Sequence, residues 1–173
     1  MVRRLYHGTV SEFEQFKFSG IGIHFGNRKQ AEERASSKLE WHNARIIAAD
    51  VSIKRPLRVD DVGLWQIPKF VVDGLLRTGV WAKGDFDGIS QSFDDDLPAR
   101  EKALLQIKEM VQSKGYDGIV YNNTGERPAK GDSFIAFEPL QVKITDHGRV
   151  ERLAGRGGAE SAVEVAKRAA LSK

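Results

Sequence analysis

Residues Leu5–Thr9 (LYHGT) are the first of three short segments that determine the fold of this 173-residue chain. The second segment is Gly20–Gly26 (GIGIHFG), and the third is Asp132–Phe137 (DSFIAF), followed by Gln141 and Val142. Each segment reads as an extended, largely apolar run that carries a polar side chain or adjoins one. We therefore expect three short strands, each with a polar side chain on it or beside it.

The sequence between these segments predicts a mixture of helices and strands without a regular order. Helices are predicted over Arg28–Trp41, after Asn27 as N-cap, over Leu64–Leu76 and over Pro98–Ser113. Further strands are predicted over Arg45–Ile53 and Ile119–Tyr121, and a long polar loop over residues 79–96. Because strands and helices do not alternate regularly, the fold class is α+β with mostly antiparallel sheets.

Composition excludes several classes of protein. The chain is 40% hydrophobic and 29% charged, which is ordinary for a globular domain, and its net charge of +3 comes from 27 basic and 24 acidic residues that are interspersed. No basic run is long enough for a nucleic-acid surface, and the absence of cysteine excludes disulfides and thiolate chemistry. No apolar run approaches about 18 residues, so we expect no membrane span, no secretory leader and a cytoplasmic location.

Two histidines are candidates for ligand binding on local grounds alone. His7 is predicted at a strand end beside Gly8, where the backbone can approach a planar ligand closely. His24 is predicted within a short strand between glycines. The alternative for each is structural: His7 could satisfy its own turn, and His24 could be a half-buried strand residue.

Other kinds of site lack their sequence signals. No two of the four histidines lie two or four residues apart, and the chain has no cysteine, so a metal site is not indicated. The chain has no Gly-x-Ser-x-Gly nucleophile motif, no P-loop and no Gly-x-Gly-x-x-Gly after a strand. A role for NAD therefore cannot be argued from a Rossmann fingerprint.

The order and spacing of the three segments resemble the ADP-ribosyltransferase superfamily of diphtheria-toxin and poly(ADP-ribose) polymerase type. The similarity is greatest to the group found in phage and mobile-element polyvalent proteins, whose later motifs match Gly115–Tyr121 (GYDGIVY) and Asp132–Phe137 (DSFIAF). The resemblance implies a split sandwich of two small, mostly antiparallel sheets flanked by helices. It places this domain at residues 1–147 and a C-terminal tail at 148–173.

The resemblance also assigns candidate site residues. In that family a His-Gly-Thr or His-Gly-Ser binds nicotinamide and the adenosine ribose, a Gly-x-Tyr-Phe strand stacks a ring on nicotinamide, and a third strand begins with a catalytic glutamate. The matching cofactor-binding positions in this chain are His7, Gly8, Thr9, Gly22, His24 and Phe25. His24 stands in the place of the tyrosine, and Ser133 stands in the place of the glutamate.

By the same resemblance, NAD is the cosubstrate, and its ADP-ribose passes to a macromolecule while nicotinamide is released. We expect a mono-ADP-ribosyltransferase of phage or toxin type, an effector whose target is a host protein or nucleic acid. An antitoxin or inhibitor is a conceivable partner. Two alternatives stay open: an NAD glycohydrolase that uses the same site, and an inactive binding module of the same fold.

A serine in the glutamate's place leaves the source of negative charge undetermined. Cleavage of the nicotinamide–ribose bond creates an oxocarbenium-like centre that a carboxylate stabilises. Ser133 offers only a hydroxyl, so the candidates are Asp132, if it sits in a turn before a strand that starts at Ser133, and Glu126 in the preceding loop. Asp132 could instead cap a turn. A protonated His24 would repel the nicotinamide ring below a pH of about 6.5.

Overall fold

The computed structural model describes residues 2–36, 44–124 and 129–149. The strands in these ranges are β1 (Val2–Thr9), β2 (Ile23–Phe25), β3 (Arg45–Ser52), β4 (Pro56–Val59), β5 (Gly118–Asn123), β6 (Gly131–Ala136) and β7 (Val142–Arg149). The α-helices are α1 (Arg28–Ser36), α2 (Pro68–Arg77) and α3 (Leu97–Ser113). Short 3-10 helices occupy Lys83–Phe86 and Pro139–Gln141.

The described strands form two sheets. The first has the order β1-β3-β7 and is antiparallel throughout. The second has the order β2-β6-β5-β4, in which only the β4–β5 pair is parallel. The predicted α+β split sandwich of two small, mostly antiparallel sheets is therefore confirmed.

The two sheets meet at one backbone bridge, between Tyr6 of β1 and Gly26 just after β2. The two residues exchange N–H to carbonyl hydrogen bonds, each 2.9 Å long. We call this bridge the seam. It holds the end of β1 beside β2, so that the first and second sequence segments lie next to each other.

Helix α1 starts directly after the seam. The Asn27 side chain accepts from the Gln30 backbone N–H at 3.0 Å, and Gln30 Oε1 accepts from the Asn27 backbone N–H at 2.8 Å. This reciprocal capping box confirms the predicted N-cap. Gln30 is buried, and its Nε2 donates to the Gly131 carbonyl of β6 at 3.1 Å. The predicted extension of the helix to Trp41 lies outside the described residues.

The core has two main parts, one on each side of the second sheet. Between the sheets, buried apolar side chains of β1, β2, β3, β5 and β6 pack together; they include Leu5, Phe25, Val51, Val120 and Phe134. On the other side, β5 and β6 pack against α2 and α3; this part includes Ile119, Ile135, Val71, Leu75 and Ile107. Trp81 and Phe86, from the segment predicted as a polar loop, are buried here too.

Several element boundaries differ from the sequence prediction. Strand β2 starts at Ile23 rather than Ile21, because Gly20 and Gly22 adopt positive φ angles of 53° and 126°. Helix α2 starts at Pro68 rather than Leu64, because Leu64 and Ile67 are held in turns by their backbone bonds. Strand β6 starts at Gly131 rather than Ser133, which matters for the site.

Within the Gly115–Tyr121 motif, Asp117 has a structural role. The Asp117 carboxylate accepts the backbone N–H groups of Lys54 and Arg55, at 2.8 and 2.7 Å, and so fixes the turn between β3 and β4. Gln141 Nε2 donates to the Asp117 carbonyl at 2.6 Å.

No helix within the described ranges is both long and apolar enough to span a membrane. The C-terminal tail at 148–173 lies outside them from residue 150 onwards.

Candidate functional site

Two adjoining pockets lie on the helix side of the second sheet, next to the seam. The smaller has a volume of about 160 Å³ and the larger about 440 Å³. Both are lined by the same five residues at their junction, which are Gly22, His24, Arg34, Tyr121 and Asn123. The smaller pocket also receives His7 from the first sequence segment and Ser133 from the third. The three segments therefore do converge on one cavity, as the sequence predicts.

His7 is fixed in this cavity by β2. Its Nδ1 lies 2.8 Å from the His24 carbonyl oxygen. Because a carbonyl only accepts, Nδ1 carries the proton, and the tautomer of the neutral ring is set by this bond. Phe16 and Phe25 pack against the ring, with centroids 5.1 and 6.0 Å away. The imidazole is thus oriented before any ligand enters.

The glycines at the site are required by the packing of the chain itself. A Cβ on Gly8 would lie 2.0 Å from the Ala31 carbonyl oxygen of α1, so only glycine lets the helix cross β1 here. A Cβ on Gly22 would lie 2.3 Å from the Ala136 carbonyl oxygen. Gly8 and Gly22 nonetheless also line the smaller pocket, so packing and ligand access do not exclude each other.

The other two residues of the predicted cofactor set differ in position. Phe25 is buried and lines the smaller pocket. Thr9 Oγ1 accepts the Ser11 backbone N–H at 3.1 Å, and Thr9 is not among the residues that line either pocket. In this structure the Thr9 hydroxyl stabilises the turn after β1.

His24 belongs to an aromatic wall with Trp65 and Tyr121. Its Nδ1 is 3.0 Å from the Tyr121 hydroxyl, and its ring centroid is 5.8 Å from that of Trp65. The Trp65 and Tyr121 ring centroids are 4.7 Å apart. This wall continues from the smaller pocket into the larger one, because His24 and Tyr121 line both and Trp65 lines the larger. It offers planar surface to a planar ligand.

Burial lowers the pKa of His24 to about 3, and the positive charges of Arg34 and His7 act in the same direction, while Asp61 opposes them. The side chain is therefore neutral at any pH above about 4. This corrects the expectation that His24 becomes protonated near pH 6.5 and then repels nicotinamide. A neutral imidazole can lie beside a cationic ring without that cost.

Ser133 occupies the position predicted for it. It is buried on β6, is paired across the sheet with Tyr121, and accepts a long hydrogen bond of 3.4 Å from Asn123 Nδ2. Its hydroxyl faces the smaller pocket together with those two side chains. Ser133 can donate a hydrogen bond to a ribose hydroxyl, but it supplies no negative charge.

Asp132 does not line either pocket. The prediction that it sits in a turn is wrong, because β6 begins at Gly131 and successive side chains of a strand alternate between faces. Asp132 instead forms a two-pronged ion pair with Arg58, with N–O distances of 2.7 and 2.8 Å. The hydrogen bond from Arg58 lowers the pKa of Asp132. The alternative carboxylate, Glu126, lies outside the described residues.

Several pocket residues were not found from the sequence. Tyr121 and Asn123 lie two and four residues after Ile119 on β5, so the three side chains share one face of the strand. This spacing was visible in the sequence. Arg34 lies on α1, about one turn after Ala31, whose carbonyl oxygen lies against Gly8. Asp61 belongs to none of the three sequence segments. Its position in the larger pocket depends on how the loop after β4 folds, which no local pattern reveals.

Comparison with known proteins gives one match. A family model described as "ADP-Ribosyltransferase in polyvalent proteins" matches residues 1–151 of the 173. The matched region contains all seven described strands and all three described α-helices. No curated protein and no solved structure matches the chain.

Proposed function

Because this chain belongs to the ADP-ribosyltransferase family of polyvalent proteins, we propose that it transfers ADP-ribose from NAD to a macromolecular target and releases nicotinamide. The observation that carries the proposal is the convergence of His7, His24 and Ser133 on one pocket of about 160 Å³. These residues come from three distant segments of the chain, in the order and positions that the family motifs require.

In this proposal the nicotinamide ring enters the smaller pocket, where His7 and the aromatic wall surround it. The pocket is walled by rings and by glycine backbone, which suits a flat amide-bearing ring. The pyrophosphate lies towards Arg34, which lines both pockets and whose planar guanidinium matches phosphate oxygens. The larger pocket then receives the rest of the dinucleotide.

The reaction breaks the bond between the ribose C1′ and the nicotinamide nitrogen. The bonding electron pair leaves with nicotinamide, which becomes neutral, and the ribosyl group becomes an oxocarbenium-like cation. A nucleophilic O–H or N–H of the target adds to C1′ and loses its proton. Ser133 contributes by donating to a ribose hydroxyl, and the neutral His24 adds no opposing positive charge beside the cation.

The target of transfer is proposed to be a host protein or nucleic acid, with the chain acting as a phage- or toxin-type effector of one modification per site. The support for this is the family description, which places such domains in polyvalent proteins. We expect an antitoxin or inhibitor to cover the two pockets, because it must prevent NAD or the target from entering them.

The test is mass spectrometry of bacterial lysate incubated with isotopically labelled NAD, with and without the protein. Nicotinamide release together with a labelled adduct on a macromolecule supports a transferase and gives its target class. Release without an adduct assigns an NAD glycohydrolase instead.

A second candidate function is an NAD-binding module without turnover. It is favoured by one observation, the hydroxyl of Ser133 at the position where the family carries a carboxylate. Intact NAD in the lysate, together with NAD binding measured by quenching of tryptophan fluorescence, would assign this function, since Trp65 lines the larger pocket.

A further inference from the structure

We propose that Asp61 is the carboxylate that stabilises the cationic ribosyl group, the role that Ser133 cannot fill. The inference rests on the proposed ADP-ribosyl transfer and names the source of negative charge in that same site. Ser133 supplies only a hydroxyl where the family has its glutamate, and the neighbouring acid Asp132 points to the other side of β6.

Among the described residues, two carboxylates line the pockets. Glu101 is exposed on the first turns of α3 and lines the larger pocket. Asp61 is partly buried, follows β4, and lines the larger pocket together with His24, Tyr121 and Asn123. Asp61 lies in the larger pocket beside the junction, because its carboxylate accepts a hydrogen bond from Thr124, the residue after Asn123. The ribose would lie at this junction.

The Asp61 carboxylate is held in place on both oxygens. Oδ1 accepts the Gly63 backbone N–H at 3.0 Å and the Trp65 indole N–H at 3.3 Å. Oδ2 accepts the Thr124 backbone N–H at 3.1 Å, with the Thr124 hydroxyl at 3.5 Å. Three N–H donors fix the orientation of the carboxylate before substrate binds, which is the arrangement that electrostatic stabilisation of a transition state requires.

The hydrogen bond from Trp65 also connects Asp61 to the aromatic wall. The Trp65 ring contacts both Tyr121 and His24, so the carboxylate is one side chain away from the proposed nicotinamide surface. The negative charge of Asp61 raises the pKa of His24, against the larger effect of burial. The carboxylate is therefore electrostatically coupled to the smaller pocket.

The proposed step leaves the carboxylate chemically unchanged. As the C1′–nitrogen bond breaks and nicotinamide departs with the electron pair, positive charge grows on the ribose, and the fixed Asp61 carboxylate attracts it. Addition of the target's O–H or N–H then forms the new bond to C1′ and releases one proton. Because the ribosyl group carries this charge only in the transition state, Asp61 should affect the rate more than the binding of NAD.

The experiment compares Asp61→Asn with wild type in nicotinamide release at saturating NAD, with Asp132→Asn as a matched control. Both variants replace a carboxylate by the isosteric amide, but Asp132 is paired with Arg58 outside the pockets. We expect Asp61→Asn to lower the rate by about a hundredfold or more, with the Kd of NAD within about threefold of wild type. Asp132→Asn should keep the wild-type rate.

A binding measurement separates lost charge from a displaced loop. An ADP-ribose analogue whose terminal ribose is replaced by a protonated pyrrolidine carries the positive charge permanently. Asp61→Asn should weaken this analogue by at least tenfold more than it weakens NAD. Equal weakening of the two ligands would mean that the residue only shapes the pocket, and would overturn the inference.

The failures of the two proposals are distinguishable. If wild type releases nicotinamide and Asp61→Asn releases it equally fast, the role of Asp61 is refuted and the transfer stands. If wild type releases none, the proposed transfer fails and the role of Asp61 fails with it. If Asp61→Asn does not fold, Asp61→Ala with added formate decides: a slow rate that formate restores supports the inference, and a folded variant at the wild-type rate refutes it.

Discussion

Asp132 and Ser133 are adjacent in sequence, yet they face opposite sides of β6. The Ser133 hydroxyl lies in the smaller pocket beside Asn123, whereas the Asp132 carboxylate pairs with Arg58 of β4. The ion pair reaches across β5, because β5 lies between β4 and β6 in the sheet. A carboxylate directly beside the site in sequence is thus held away from it in space.

The position of Asp132 leads to a prediction about stability. Asp132→Asn removes an ion pair whose two side chains are 60% and 42% exposed, so the free energy of unfolding should fall by no more than about 1 kcal/mol. Urea denaturation of wild type and variant measures this. A loss above about 3 kcal/mol would show that the pair contributes more than its exposure indicates.

Gly8→Ala should be strongly destabilising. The added methyl would lie 2.0 Å from the Ala31 carbonyl oxygen, and a backbone atom cannot move aside cheaply. We expect the free energy of unfolding to fall by about 2–3 kcal/mol, in the upper range for overpacking. The matched control is Gly84→Ala, where the nearest atom is the end of the Asp87 side chain at 3.9 Å. Equal stability of Gly8→Ala and wild type would contradict the observed crossing of α1 over β1.

His24 should make stability depend on pH. The imidazole has a pKa of about 6.5 in the unfolded chain and about 3 in the folded one, so between these values the unfolded state binds one more proton. The stabilisation is complete above pH 6.5 and decreases as the pH falls towards 3. Between these two pKa values, His24 changes the free energy of unfolding by up to about 1.4 kcal/mol per pH unit.

The measurement for His24 is urea denaturation at several values between pH 7 and pH 4.5. His24→Asn is the comparison, since its amide can still form a hydrogen bond with the Tyr121 hydroxyl at the position of Nδ1. The variant should lose less stability than wild type on acidification. If the free energy of unfolding falls equally with pH in variant and wild type, His24 binds its proton as readily in the folded protein as in the unfolded chain.

Gln141 should contribute to stability without contributing to the site. Its Oε1 accepts the backbone N–H groups of Phe137 and Glu138, both at 2.8 Å, and its Nε2 donates to the Asp117 carbonyl. Gln141→Ala removes all three bonds, at about 1 kcal/mol each. Thermal unfolding should show a clear fall in Tm, while Gln106→Ala on α3, a helical position where alanine is favourable, should change Tm little.

Much of the fold could be predicted because its signals are local. Asn27 before a run of helix formers predicts an N-cap, and the short apolar runs Ile119–Tyr121 and Ser133–Phe137 predict strands. Each of these features depends on neighbours within a few residues.

The parts of the site that could not be predicted depend on contacts between distant residues. The face on which Asp132 lies follows from where β6 begins, and pairing with β5 extends that strand back to Gly131. The pKa of His24 depends on burial by Trp65 and Tyr121, which are 41 and 97 positions further along the chain. The place of Asp61 depends on bonds to a loop more than 60 residues away.

The seam has a consequence for how the chemistry of this site can vary. Its two hydrogen bonds join main-chain atoms of Tyr6 and Gly26, and His7 is in turn anchored to the main-chain oxygen of His24. The backbone therefore sets where positions 7 and 24 stand, whatever side chain position 24 carries. The positions of the site residues and the chemistry of their side chains are therefore encoded separately. The side chains at positions 24 and 133 can change while the backbone around the pocket keeps its arrangement.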